Sequence, residues 1–253
     1  MEIKLIVTDL DGTLLNSKKC VSEETTLAIA NAQKIGVHFA FATARPERNT
    51  LEYAERIKPD SIISNNGAKV SVNKQAIRTV CIEPHYAKRM IARLLQIDSI
   101  RLCLDYDDIS VTNCDDYLSW GNWGAVYSDF SSINYEGIQK IAIESMDISL
   151  LSTIDFEDYD CHFYANQGEK WFMVTNKQAS KYNAIKFLAH YYKIDISNVA
   201  VFGDDYNDIE MVEKCGVGIA MDNSIQELKN VADFVCANND DSGIAQWINT
   251  YLL

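Results

Sequence analysis

The chain has 253 residues, 47% hydrophobic and 23% charged, with a formal net charge of −13; that is room for one large domain or two smaller ones in an ordinary water-facing balance. The acidic excess argues against a nucleic-acid surface, which needs clustered Lys and Arg. No apolar run approaches a bilayer span, the first residues match no secretory leader, and seven scattered cysteines without a CxxC pair suit a reduced, cytoplasmic protein rather than a zinc site.

The first element lies in LIVTDLDGTLL, residues 5 to 15. Leu5, Ile6 and Val7 predict a short buried strand. Asp9 and Asp11 stand where that strand leaves the sheet. Residues two apart on extended backbone face one side. The two carboxylates therefore crowd together unless a cation or a proton is shared between them. Gly12 permits a sharp change of direction. A helix follows from about Ser22, a suitable N-cap, to Ile35, with Gly36 as its stop. VHFAFATAR (37–45) repeats the grammar of apolar strand and polar cluster. A helix from Pro46 to before Pro59 comes next, and SIISNNGA (61–68) repeats the grammar again.

The pattern changes between about residues 83 and 178. A helical pattern at 84–96 precedes IRLCLDYDDISVTN (100–113), a hairpin turning near Asp107. IQKIAIES (138–145) reads as a strand, 146–156 as helical, and CHFYANQGEKWFMVT (161–175) as a hairpin turning at Asn166 to Gly168. This α+β stretch predicts a second domain over 83–178, inserted between two parts of the first, 1–82 and 179–253, and able to cover its strand ends. After it, a helix follows Ser180, and NVAVFGDDYND (198–208) gives the fourth strand with a polar cluster. A helix from about Asn207 to Cys215 stops at Gly216. VGIAM (217–221) reads as a strand, and SIQE (224–227) as a capping box before a short helix.

Strands of continuous Val, Ile, Phe and Ala suit a parallel sheet covered on both faces. Their alternation with helices predicts an α/β, doubly wound domain. Ligands in such sheets bind at the carboxyl ends of the strands. All four polar clusters lie there, which gathers Asp9, Asp11, Thr43, Asn66, Asp204 and Asp208 into one site. Carboxylates a few Å apart repel by ~1 kcal/mol in water and several times that near protein. A hard divalent cation with oxygen ligands compensates them, and Mg²⁺ fits a few carboxylates plus a phosphate. Lys181, just after Ser180 at a helix start, adds a positive charge beside free N–H groups. Together these suit phosphoryl transfer. One carboxylate attacks phosphorus and forms an aspartyl-phosphate. The second protonates the leaving alcohol and then activates water, while metal and Lys stabilise the equatorial oxygens.

Taken in order, DLDGTLL, the triplet TAR at 43–45, NNGA, SK at 180–181 and GDDYND resemble the motifs of haloacid dehalogenase-like (HAD) phosphatases. The position of the insertion resembles the Cof-type subfamily, with its α/β (type IIB) cap. The resemblance spans the whole chain, including the tail IAMDNSIQELKNVADFV and NNDDSGIA. It implies a Rossmann-like parallel-sheet core with a smaller inserted α+β cap that sets substrate specificity. It implies Asp9 as nucleophile, Asp11 as general acid/base, and Thr43 and Lys181 as phosphoryl ligands. Mg²⁺ would be held by Asp9, the backbone carbonyl of Asp11, and Asp204. Asp208 would support the metal shell and orient Lys181, and Asn207 would be a metal-shell or water partner. Ala44, Arg45, Asn66 and Tyr182 would lie near the substrate entrance. Ala44 and Tyr182 depart from the family, which usually has Gly at both places, and MDNS (221–224) replaces its frequent MGNA. Tyr182 would crowd the phosphate or reach toward the substrate.

The implied function is a Mg²⁺-dependent phosphatase of a small phosphorylated metabolite: a sugar phosphate, or a cofactor such as pyridoxal phosphate or flavin mononucleotide. The alternatives are a phosphomutase or phosphotransferase using the same aspartyl-phosphate, or a phospho-accepting regulatory protein. The retained Asp11 speaks against the last. No nucleic-acid or membrane partner is implied, and a monomer is the default. Singly the residues have plainer readings: a DG pair is often a turn, Thr43 an N-cap, Lys181 a solvated surface lysine. His38 and His162 read as core or strand residues. Trp120, Trp123 and Tyr127 read equally as pocket lining or cap core. DFEDYD (155–160) reads as a solvated turn, and no cysteine is assigned chemistry.

Overall fold

Strand β1 (Leu5–Thr8) is buried along its whole length, and its side chains divide between two faces. Ile6 joins one apolar cluster while Leu5 and Val7 join another, as the two-residue period of a strand dictates. The computed structural model describes residues 2–98, 100–114, 124–145, 151, 153–165 and 171–253. In β2 (His38–Ala42), Phe39 and Phe41 lie on the side of Ile6, and Ala40 and Ala42 on the side of Val7. With β3 (Ser61–Ser64), β4 (Lys69–Val72), β5 (Gln75–Thr79), β12 (Val199–Gly203), β13 (Val217–Met221) and β14 (Phe234–Cys236) they form an eight-stranded sheet. Its order is β14-β13-β12-β1-β2-β3-β4-β5. Pairing is parallel from β14 to β3 and antiparallel between β3 and β4.

Helices cover both faces. On the side of Ile6 lie α1 (Glu23–Lys34), through Ala28, Ile29 and Ala32, and α7 (Gly243–Tyr251), through Ile244, Trp247 and Ile248. Tyr53 and Ile57 of α2 (Leu51–Ile57) join them. The other face carries α4 (Lys181–Tyr192), α5 (Ile209–Lys214) and α6 (Gln226–Val231), which bury Ile185, Leu188, Met211, Val212 and Leu228. Ser22 caps α1, its Oγ accepting the Thr25 N–H at 3.1 Å. This is the predicted α/β doubly wound arrangement.

The chain divides into two compact units, Met1–Arg78 with Ser180–Leu253, and Thr79–Ala179. The second holds a six-stranded sheet. Its strands are β6 (Arg101–Asp105), β7 (Ser110–Thr112), β8 (Ala125–Tyr127), β9 (Lys140–Glu144), β10 (Cys161–Ala165) and β11 (Trp171–Asn176). Their order is β10-β11-β9-β6-β7-β8. Neighbours are antiparallel apart from the β7–β8 pair. On α3 (Pro84–Leu94), Ala87, Met90, Ile91 and Leu94 make one face and pack with Leu102, Leu104, Ile141 and Val174 of the sheet.

β4, β5, β8, β14 and α7 go beyond the sequence reading. The predicted helix at Pro46 begins as a 3₁₀ turn, Glu47–Thr50. In the acidic stretch, Phe156–Tyr159 is a 3₁₀ turn capped by Asp155, with Phe156 turned into the core. The turn at Asn166 to Gly168, most of the helix at 146–156, and Trp120 and Trp123 lie outside the described residues. Tyr127 is exposed on β8. Among the described residues no helix is long and apolar enough to cross a membrane.

Candidate active site

The loop after β1 is pinned at its start, where the Asp9 N–H donates to the Phe202 carbonyl of β12 at 2.8 Å. It then passes close to Asp204. Gly12 has φ +80°, and a Cβ there would stand 2.2 Å from Asp204 Oδ2. Only glycine accepts both conditions. Thr13 Oγ1 donates to Asp204 Oδ1 at 2.6 Å. From the other face, α4 begins at Ser180, whose Oγ accepts the Asn183 N–H. The next residue, Lys181, is 1% exposed. Its Nζ donates to Asp9 Oδ1 at 2.5 Å and to Asp208 Oδ1 at 2.6 Å. The second oxygen of Asp208 accepts the N–H groups of Asp204 and Asp205 at 3.1 and 3.3 Å. Asp208 is thus fully buried with both oxygens partnered.

The charges here do not balance. One oxygen each from Asp9, Asp204 and Asp208 lie within 4.8 Å of one another, against the one Lys181 ammonium in their midst. Burial raises the Asp9 pKa well above the carboxylate range; Lys181 opposes this, and Asp208 and Asp204 add to it. Burial, then Asp208, pushes Asp204 up to about 7. For Lys181 burial works against the charged form, but Asp208 and Asp9 outweigh it and hold the ammonium above its ordinary pKa. A surplus of hard oxygen donors around a common centre is the chemistry that a Mg²⁺ ion fits.

Asp11 stands apart from that group. Arg45 grips its carboxylate with two bonds, Nε to Oδ2 at 2.7 Å and Nη2 to Oδ1 at 2.6 Å, and Lys19 Nζ adds a third at 2.9 Å. Burial alone would raise its pKa, but the hydrogen bonds from Arg45 and Lys19 overcome this and lower it. Thr43 is buried, and its Oγ1 accepts the Arg45 N–H at 3.1 Å. Ala44 is half-buried between them. Asn66 donates its backbone N–H to the Thr43 carbonyl at 2.9 Å, and its Oδ1 accepts from Asn207 Nδ2 at 3.0 Å. The loops after β1, β2, β3 and β12 therefore meet at one end of the sheet.

Tyr182 is a correction. Its ring packs on the apolar cluster between the sheet and α4, with the Lys186 and Lys214 ammonium groups 5.5 and 5.3 Å from its centroid. It neighbours Lys181 in sequence but projects from another side of the helix, so it serves packing rather than reaching toward the phosphate. Thr13, Lys19 and Asn223 are additions. Asn223 Nδ2 donates to the Gly12 carbonyl at 2.8 Å, which ties the MDNS segment to the loop after β1. The asparagine shared by MDNS and the family's MGNA was the available signal for it. Thr13 lies inside the DLDGTLL motif, which was its signal, whereas a lysine in a polar loop carries none.

Comparison with known proteins identifies the family. The family model for haloacid dehalogenase-like hydrolases matches residues 6–248. The phosphatase YwpJ of Bacillus subtilis is 26% identical over 288 residues, covering 99% of this chain and 100% of the relative. The 5-amino-6-(5-phospho-D-ribitylamino)uracil phosphatase YcsE of the same organism is 27% identical over 258 residues, covering 100% and 97%. The solved structure of the HAD subclass IIB sugar phosphatase BT4131 superposes with a TM-score of 0.85 at 20% identity, covering 98% of each chain, a likeness of fold. A match over nearly the whole chain leaves one placement: it belongs to the haloacid dehalogenase-like hydrolases, in their Cof-type branch, and is an enzyme of the phosphatase kind.

Proposed function

We propose that this enzyme is a Mg²⁺-dependent phosphatase of a small phosphorylated metabolite, acting through an aspartyl-phosphate on Asp9. The observation that carries the reading is the buried Lys181 ammonium bonded to both Asp9 and Asp208, with Asp204 beside them. Buried charges in unequal number are costly unless a further ion balances them. Asp9 and Asp204 supply oxygens to hold Mg²⁺, with the Asp11 carbonyl as the ligand that the family adds, and Asp208 supports them through Lys181 and the Asp204 N–H. When bound, the ion would neutralise charge developing on the phosphoryl oxygens.

An Asp9 oxygen attacks phosphorus; the Asp9–phosphorus bond forms as the ester bond breaks. Asp11 gives a proton to the leaving alcohol, then takes one from the water that cleaves the aspartyl-phosphate. The grip of Arg45 and Lys19 on Asp11 favours its carboxylate, the form that acts as base. Donating a proton first requires Arg45 to turn away, and an incoming phosphate ester offers that guanidinium another anion. Lys181 holds the phosphoryl group. Thr43 assists it, because its Oγ1 accepts from Arg45 and keeps its own proton to give.

For the substrate, the ribitylaminouracil phosphatase YcsE and the sugar phosphatase BT4131 support a phosphorylated sugar or sugar-bearing cofactor precursor. We assign Thr79–Ala179 the role of cap, reading the leaving group. The seven cysteines form no disulfide among the described residues, which suits a reducing, cytoplasmic setting. The test is phosphate release from a panel of phosphorylated sugars and cofactors, with and without Mg²⁺. Release that needs Mg²⁺ and vanishes in Asp9→Asn supports the reading. Release that survives in Asp9→Asn, or that ignores chelation, contradicts it.

A further inference from the structure

Asn65, Asn66 and Gly67 have φ of 48°, 56° and 96°, three left-handed residues in a row. Asparagine tolerates that conformation better than most side chains, and glycine best. Such a run persists only where its surroundings over-determine it. Part of that support is backbone: the Asn65 N–H donates to the Arg45 carbonyl and the Asn66 N–H to the Thr43 carbonyl, both at 2.9 Å. Another part is the start of α4. A Cβ on Gly67 would stand 2.2 Å from the Ser180 carbonyl oxygen and 3.0 Å from the Lys181 nitrogen. The asparagine loop therefore rests on the peptide that joins Ser180 to Lys181.

The Gly67 carbonyl takes its partner from a side chain. Arg78, on the edge strand β5, donates to it from Nη1 at 3.1 Å. A bond to that oxygen fixes the plane of the peptide after Gly67, and with it the turn by which the loop leaves its left-handed run. The same guanidinium lies over the Phe187 ring of α4, 5.7 Å from the centroid, within range of a cation–π attraction. Arg78 thus touches both the loop and the helix on which the loop rests. Its place in the chain adds to this. Arg78 is the last residue of the first compact unit before the chain enters the second, and Ser180 is the first after it returns. Both crossing points meet at Gly67.

We propose that Arg78 is a positioning residue for the reaction: it holds Gly67 against the Ser180–Lys181 peptide and so fixes the point from which the Lys181 side chain extends. The assignment rests on the phosphatase reading, in which Lys181 holds the phosphoryl group. Lys181 Nζ is bonded to Asp9 and Asp208 at 2.5 and 2.6 Å, so the far end of the side chain is already fixed. A shift of its backbone must be taken up by those bonds or by an unfavourable rotamer. The structural alternative is an arginine that only pins the edge strand to α4.

Steady-state turnover of p-nitrophenyl phosphate with Mg²⁺ tests this. Arg78→Met keeps the apolar stem and removes the donor; Arg78→Lys returns a cationic donor. Misplacing a group that holds the reacting atoms predicts a kcat lowered roughly tenfold in Arg78→Met. KM should stay within about twofold of wild type, because the assignment gives Arg78 no contact with substrate. Arg78→Lys should recover most of the loss, since a charged donor again meets the carbonyl. In a Gly67→Ala background the loop is already displaced, so Arg78→Met should lower kcat by less than about twofold further. Both Arg78 variants should keep native far-UV circular dichroism, since β5 stands at the sheet's edge. An unchanged kcat in Arg78→Met, no recovery in Arg78→Lys, or an effect that multiplies undiminished with that of Gly67→Ala would overturn the assignment. So would loss of native circular dichroism in Arg78→Met, which would leave a residue that only holds the fold. Wild-type protein that releases no phosphate from this ester or from the sugar and cofactor panel would overturn the phosphatase reading itself, and this assignment with it.

Discussion

Lys181 is the residue through which the site holds together. Its ammonium is the countercharge bonded to two buried carboxylates. Removing one partner of a buried ion pair leaves uncompensated charge and costs about 3–5 kcal/mol. Lys181→Met is therefore predicted to abolish turnover and to lower the denaturant midpoint of metal-free protein, with part of the loss restored by Mg²⁺. An undiminished midpoint would contradict the role given to the lysine. Asp204 provides a pH test. Its pKa is about 7 against an ordinary 3.8, so the metal-free fold binds a proton that the unfolded chain releases. Stability should then fall as pH rises from about 4 to 7. Mg²⁺, which competes with that proton, should raise the melting temperature by only a degree or so near pH 5 and by roughly 5 °C or more near pH 8. A shift independent of pH would place the ion elsewhere. These residues were legible in the sequence because charge at the end of an apolar strand is costly without a purpose. The partners of Asp11 were not, since how far Arg45 and Lys19 reach is decided by tertiary folding.

At the scale of elements, positions without side chains matter as much as charges. Gly67 lies against the first peptide of α4 with no room for a methyl group. Gly67→Ala must displace either the asparagine loop or the helix start, and should lower turnover more than tenfold while far-UV circular dichroism stays native. Ser22→Ala, remote from the site, should cost only about 1 kcal/mol through the lost cap and leave turnover unchanged. The strands β1, β2, β3, β12 and β13 were legible as continuous apolar runs, because a parallel sheet covered on both faces demands them. The β4–β5 hairpin was not. Its two-residue turn is Asn73-Lys74, both at positive φ, where a lysine stands in the place that glycine usually takes and hides the signal. The three-residue strands β8 and β14 are too short for a period to register.

At the scale of the whole molecule, the chain is two compact units, one discontinuous in sequence. The change from strand–helix alternation to hairpin pairs marks the second unit in the amino-acid pattern itself. Its internal detail was harder to read, because β6 and β11 are buried on both faces and carry no alternation that would set their strand faces apart. If Thr79–Ala179 reads the leaving group, replacing that segment with its counterpart from YcsE should transfer the ranking of substrates. The Mg²⁺ requirement should remain as it was, and an unchanged ranking would move specificity back to the larger unit. The central claim is that Asp9 carries the phosphoryl group. The most direct measurement is acid quenching during Mg²⁺-dependent turnover of a generic aryl phosphate, followed by mass spectrometry of the peptide that contains Asp9. The account predicts a phosphorylated Asp9, absent from Asp9→Asn and accumulating in Asp11→Asn, where water attack is slowed. Phosphate release in full with Asp9 unmodified at every quench time, or an adduct on another residue, would contradict it.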